Sequence, residues 1–152
     1  MIDKQFILAS QSPRRKELLS GIIDDFKTEV RSVDEVYPDG LTNEEIAIYL
    51  SELKAQAFEG DVQKEEIVIT ADTIVCIGNK VLGKPQNKVE AVDMLKGLSG
   101  NTHEVITGVT ILTDTRKYSF YDKTLVSFYE LMDEEIDFYI EQYQPFDKAG
   151  SY

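Results

Sequence analysis

The chain has 152 residues, of which 42% are apolar and 29% charged, and its formal net charge is -12. Such a length and composition describe an ordinary globular protein with one domain and a core of its own, without low-complexity tracts, and the single cysteine excludes a disulfide framework and a cysteine zinc site. The negative field repels polyanions, which argues against general binding to nucleic acid or to an anionic membrane, so an anionic small molecule would need a local cationic pocket, a metal ion or both.

No apolar run approaches the ~18 residues of a membrane span and no signal-peptide pattern is present, so a cytoplasmic protein is expected. The single cysteine, Cys76, lies in an apolar run and reads as a small core residue.

Strands and helices alternate along the chain, which predicts an α/β protein. A short strand over residues 5–9 leads directly into a helix from Pro13 to about Gly21, through Ser10-Gln11-Ser12-Pro13-Arg14-Arg15. Ser12 suits the N-cap and Pro13 the first helical position, and the unpaired N–H groups of that turn face whatever lies in front of it. Arg14 and Arg15 oppose the helix dipole there by about 0.3–1 kcal/mol each, a penalty that a bound phosphate would reverse. The plainer alternative is two solvated arginines on a surface turn.

A second strand is predicted between Phe26 and Val33, followed by a loop with Asp34, Glu35, Pro38 and Gly40. Thr42 and Glu45 have capping-box spacing at the head of the next helix, whose apolar stripe is Ile46, Leu50, Leu53 and Ala57. Lys54 falls at the edge of that stripe, a place where lysine usually snorkels. The run Ile67–Ile77 reads as a long strand buried on both faces, and Gly78-Asn79 as a hairpin turn into residues 80–84. A helix over 88–98 follows, with Ala91, Leu95 and Leu98 inward, then strands over 104–112 and 120–129. The last helix, 133–143, would turn Ile136, Tyr139, Ile140 and Tyr143 inward.

Asp72 is the sharpest anomaly, because an acid inside an apolar strand is costly to bury unpaired. A register set by the Gly78-Asn79 turn pairs Ile77 with Lys80 and brings Lys84 back beside Thr73, one residue from Asp72; a bulge near Gly83 would turn it toward the carboxylate. Two readings stay open from the residues alone. One is a structural Asp–Lys ion pair; the other is a carboxylate that binds a divalent metal or activates water, beside a phosphate-binding lysine. Glu35 is the second candidate carboxylate. His103, the only histidine, reads as a hydrogen-bonded structural residue.

These pieces run in the order Ser10-x-Ser-Pro-Arg-Arg, Lys54-Ala55, Ala71-Asp72-Thr73, Gly83-Lys84-Pro85, Leu98-Ser99-Gly100-x-Thr-His103, Thr107-Gly108-Val109 and Asp147-Lys148-Ala149-Gly150. Together they closely resemble the Maf family of nucleoside triphosphate pyrophosphatases over essentially the whole chain. The resemblance implies a Maf and inosine-triphosphatase type α/β fold, an elongated curved mixed sheet with flanking helices around a central cleft. It implies hydrolysis of a nucleoside triphosphate to the monophosphate and pyrophosphate with Mg²⁺ or Mn²⁺.

By motif, Asp72 resembles the family's catalytic proton acceptor, and Ser10, Arg14, Arg15, Lys54 and Lys84 its phosphate-handling residues; Lys148 is counted with the substrate-binding positions. Glu35 and Asp72 are the expected metal ligands. Arg14 and Thr73 resemble specificity positions of the branch that acts on dTTP and UTP. Some forty C-terminal residues usual in the family do not follow Tyr152, so an exposed sheet edge, a homodimer and, as the alternative function, a catalytically weak nucleotide-binding or cell-division regulatory protein are also expectations.

Overall fold

The computed structural model describes residues 3–152. The elements are β1 (Gln5–Leu8), α1 (Pro13–Ser20), β2 (Phe26–Thr28), α2 (Asn43–Gln56), β3 (Glu66–Ile77), β4 (Lys80–Leu82), α3 (Lys88–Leu98), β5 (Thr102–Leu112), β6 (Lys117–Ser127) and α4 (Asp133–Tyr143), followed by two 3₁₀ turns. The six strands form a mixed sheet in the order β2-β1-β3-β5-β6, with β4 paired to β3. Strand β1 lies parallel to both β2 and β3, whereas β3 and β4 form an antiparallel hairpin in which Ile77 pairs with Lys80. The α/β expectation holds.

Two compact units divide the chain, Met1–Asp72 with Thr107–Tyr121, and Thr73–Ile106 with Asp122–Tyr152. In the first, Ile7, Val68, Leu112, Ala55 and Phe58 pack into one buried cluster. Helix α2 begins at a true capping box, Thr42 Oγ1 accepting from the Glu45 N–H while Glu45 accepts from the Thr42 N–H at 2.8 Å. Its innermost stripe is Ala47, Ser51 and Ala55, all fully buried. The predicted stripe of larger residues is displaced: Ile46 and Leu50 are buried, but Leu53 and Ala57 are only half-buried. Small residues take the centre because the helix lies almost on the sheet backbone. A Cβ at Gly108 of β5 would stand 2.1 Å from the Ala47 carbonyl oxygen, so only glycine permits the approach.

The second unit has two buried clusters, one joining α3 to α4 through Ala91, Leu95, Ile136 and Ile140, the other around Val75, Leu82 and Leu98. Helix α3 is capped by Asn87, which accepts from the Glu90 N–H at 3.0 Å, while Glu90 reaches back to the Gln86 N–H. Helix α4 has its predicted bounds, but Tyr143 points outward, 61% exposed, leaving Ile136 and Ile140 as its buried pair. His103 is buried, with Nε2 2.5 Å from the Tyr152 hydroxyl and its ring edge-on to Phe128. Burial holds its pKa below the ordinary value, which fits a neutral structural imidazole.

Other departures concern length. Strand β2 stops at Thr28 rather than near Val33, and β4 stops at Leu82, so Lys84 lies beyond the ladder. Among the described residues no helix is long and apolar enough to cross a membrane.

Replacing Gly108 by alanine should cost about 1–3 kcal/mol through overpacking against helix α2, measured as a lower urea midpoint at unchanged slope. A variant as stable as the native chain would mean that the helix can back away freely.

Candidate active site

Four charged side chains of the first unit converge at the end of its buried β3 segment. The β1–α1 junction supplies the first. Ser12 caps α1 by accepting from the Arg15 N–H at 3.3 Å, Pro13 occupies the first turn, and that turn carries no acidic residue. Ser10 Oγ accepts from the Ser12 N–H at 3.1 Å, tightening the bend between strand and helix. Arg14 projects outward and is exposed, whereas Arg15 is half-buried and donates from Nη1 to the Ala71 carbonyl at 2.8 Å.

Helix α2 supplies the second cation. Lys54 Nζ donates to Asp72 Oδ1 at 2.5 Å, lies 3.5 Å from the same Ala71 carbonyl, and stands 3.1 Å from Glu35 Oε1. One ammonium therefore bridges two carboxylates, one almost buried and one exposed. Helical side chains lean toward the N-terminus, so a lysine in the last turn can reach back along the helix to a strand residue.

Glu35 comes from the loop after β2, and that loop is tied down by Arg31. Its guanidinium bonds Asp61 at 2.7 Å, Glu29 at 3.0 Å and the Ala57 carbonyl at 2.9 Å, and lies over the Phe58 ring. Residue-by-residue reading did not single out Arg31. Its signal was faint, one more cation in a charged loop.

Asp72 is buried, and burial pushes its carboxyl pKa above the ordinary range; Lys54 pulls it down, the neighbouring Glu35 charge adds to the rise and Arg15 opposes it. Burial lowers the Arg15 pKa, with Asp72 and Glu35 acting against that shift, so all three groups lie within one electrostatic field.

The partner of Asp72 is thus Lys54, not Lys84. The β3–β4 ladder ends at Val75–Leu82 with no bulge to turn Lys84 inward, and the lysine on the packed helix is the one that compensates the carboxylate. Thr73, half-buried, follows Asp72 on β3 and belongs to the second unit, as do Lys84 and Lys148. Lys84 is exposed, and Lys148 pairs with Asp147 at 3.2 Å; together they hold the Asp147 carboxyl below its ordinary range, the Lys148 hydrogen bond contributing most.

Among the described residues no group of three or more His, Cys, Asp and Glu side chains is placed to hold a metal by protein ligands alone. Two hard oxygen donors, Glu35 and Asp72, do face one cation. That donor set fits Mg²⁺, which takes one or two carboxylates and completes its shell with water and substrate phosphate.

A raised folded-state pKa means that Asp72 favours folding in its protonated form; its contribution is full below the unfolded value near 3.9 and is lost as pH rises through the folded value. Asp72→Asn removes that loss. Its melting temperature at pH 7.5 should equal or exceed that of the native chain, with the difference closing on acidification; a clear drop at pH 7.5 would show that the Lys54 contact outweighs desolvation.

Comparison with known proteins gives the family. The family profile described as Maf-like protein matches residues 5–152. A Flavobacterium johnsoniae protein named dTTP/UTP pyrophosphatase is 48% identical over 97% of this chain and 76% of its own length. A Phocaeicola vulgatus protein of the same name is 52% identical over 97% of this chain and 77% of its own. The Staphylococcus aureus Ham1 protein structure shares the fold, with a TM-score of 0.58 at 16% identity over 82% of this chain and 71% of that one. With relatives this similar and a profile that takes in the β1–α1 junction, Lys54 and Asp72 together, the chain belongs to the family of Maf-like proteins.

Proposed function

We propose that this protein hydrolyses nucleoside triphosphates, dTTP and UTP foremost, to the monophosphate and pyrophosphate. The observation that carries the reading is the buried Asp72 carboxyl, with its raised pKa, held at the same ammonium as Glu35 and beside the cationic first turn of α1. Relatives named dTTP/UTP pyrophosphatase, at 48% and 52% identity, support the choice of substrate.

A nucleoside triphosphate brings close to four negative charges near neutral pH, and fixed cations must meet them. The N-terminal end of α1, with Arg14 and Arg15, suits phosphate oxygens; Arg15 is already anchored at the Ala71 carbonyl, so it loses little freedom on binding. Asp72 is the proton acceptor. Water attacks the α-phosphorus, its proton passes to the Asp72 carboxylate, and the bond to the pyrophosphate oxygen breaks. Glu35 and Asp72 would hold a divalent ion, which when bound neutralises phosphate charge and favours pyrophosphate as a leaving group. Lys54 answers for the same two carboxylates in the absence of such an ion, and would be released to turn toward phosphate where an ion takes its place. Thr73, Lys84 and Lys148 complete the assignment, Thr73 with Arg14 in base selection and the two lysines in phosphate binding.

The test is pyrophosphate release across dTTP, UTP, CTP, 7-methyl-GTP, ITP and ATP. Release from dTTP and UTP should dominate, disappear with EDTA, return with excess Mg²⁺, and fall by about 10²–10⁴-fold in Asp72→Asn. A folded protein that binds these nucleotides but releases no pyrophosphate from any would replace the enzyme reading with a binding or regulatory one.

A further inference from the structure

Lysine is flexible, so what places the Lys54 ammonium on Asp72 must be the placement of the helix that carries it. Helix α2 is fixed to the sheet at one residue by two buried polar contacts. Thr70 of β3 donates from Oγ1 to the Ser51 carbonyl at 2.6 Å, and Ser51 Oγ lies 2.8 Å from Thr110 Oγ1 of the neighbouring strand β5. Thr70, Ser51 and Thr110 are all fully buried. Along β5 the helix meets Gly108 at Ala47 and Thr110 at Ser51, two strand residues against four helical ones. Those steps are about 6.6 Å and about 6 Å, so helix and strand keep register over that stretch.

The Thr70 bond adds what packing lacks. Apolar contacts against Gly108 and Ala47 set how close the helix comes, but they allow sliding and rotation, whereas a directional bond to one carbonyl does not. Thr70 and Asp72 also share one face of β3, two residues apart. The strand face that presents the carboxylate is thereby the one that holds the backbone of its partner's helix, one turn before Lys54.

We infer that Thr70 is a positioning residue of this site: through its hydroxyl bond to the Ser51 carbonyl it holds helix α2 where Lys54 meets Asp72. The catalytic consequence rests on the proposed pyrophosphatase reading; the placement of Lys54 does not.

Both parts are tested with Thr70→Val, which keeps the shape and removes the donor, and Thr70→Ser, which restores it. The placement is read by amine acetylation and mass spectrometry on the full chain, well below each variant's melting temperature, with exposed Lys84 as reference. Lys54 labelling should rise severalfold in Thr70→Val and return to the native level in Thr70→Ser. Unchanged labelling in Thr70→Val overturns the inference whether or not the chain is active, and so does Thr70→Ser labelling that matches Thr70→Val.

Given pyrophosphate release by the native chain, Thr70→Val should lower kcat by about 10–100-fold. It should cause no further loss in a Lys54→Met background. Effects that multiply would mean that Thr70 acts elsewhere. Absence of release from the native chain would instead defeat the functional reading, with the labelling still deciding the placement of Lys54.

Discussion

Asp72, a buried carboxylate, meets the half-buried ammonium of Lys54, and that contact is the constraint on which the rest of the site depends. A carboxylate buried in an apolar strand is tolerable only with a cation delivered to it, and a cation on a flexible stem is delivered only if its helix is fixed. The small-residue stripe of α2, the bare backbone at Gly108 and the hydroxyl contacts at Ser51 all serve that end. Burial nevertheless dominates, leaving the carboxyl with a raised pKa despite an ammonium at hydrogen-bond distance. Such a group is costly to the fold and useful to chemistry, because a carboxyl with raised proton affinity is a better base when it must take a proton from water.

Two cations converge on a single backbone carbonyl, that of Ala71, immediately before the acid. Arg15 arrives from the first turn of α1 and Lys54 from the last turn of α2, so two helix ends are referred to one point on β3. The arrangement accounts for Arg15 at a helix N-terminus, a place that local electrostatics disfavours for a cation. Arg15 spends its charge on a fixed acceptor and on the field of Asp72 and Glu35, while Arg14, exposed, remains directed outward.

Most of the architecture was legible because the local signals agreed with one another. The Ser12-Pro13 start of α1, the Thr42–Glu45 box and the bounds of α4 follow from caps and periodicity that act within a few residues. The order of motifs carried the family. What was not legible is tertiary. Strand register brought Lys84 back beside Thr73, one residue from Asp72, because a hairpin is the only local route back to that stretch, and only a bulge would have turned it to the acid; the partner came from a helix eighteen positions away. The inner face of α2 was misread for a related reason. Periodicity follows large apolar side chains, and here the closest packing is made by Ala47, Ser51 and Ala55 against a glycine. Arg31 and Thr70 carry no local signal, since their importance lies in the segments they tie together.

The most direct test of the central claim, that Asp72 delivers water to the α-phosphorus, is a single turnover of dTTP in ¹⁸O-water followed by mass spectrometry of both products. The label should enter thymidine monophosphate and be absent from pyrophosphate, with no labelled monophosphate formed on the same timescale by Asp72→Asn. Label in the pyrophosphate, or labelled monophosphate formed at the native rate by the variant, would contradict it.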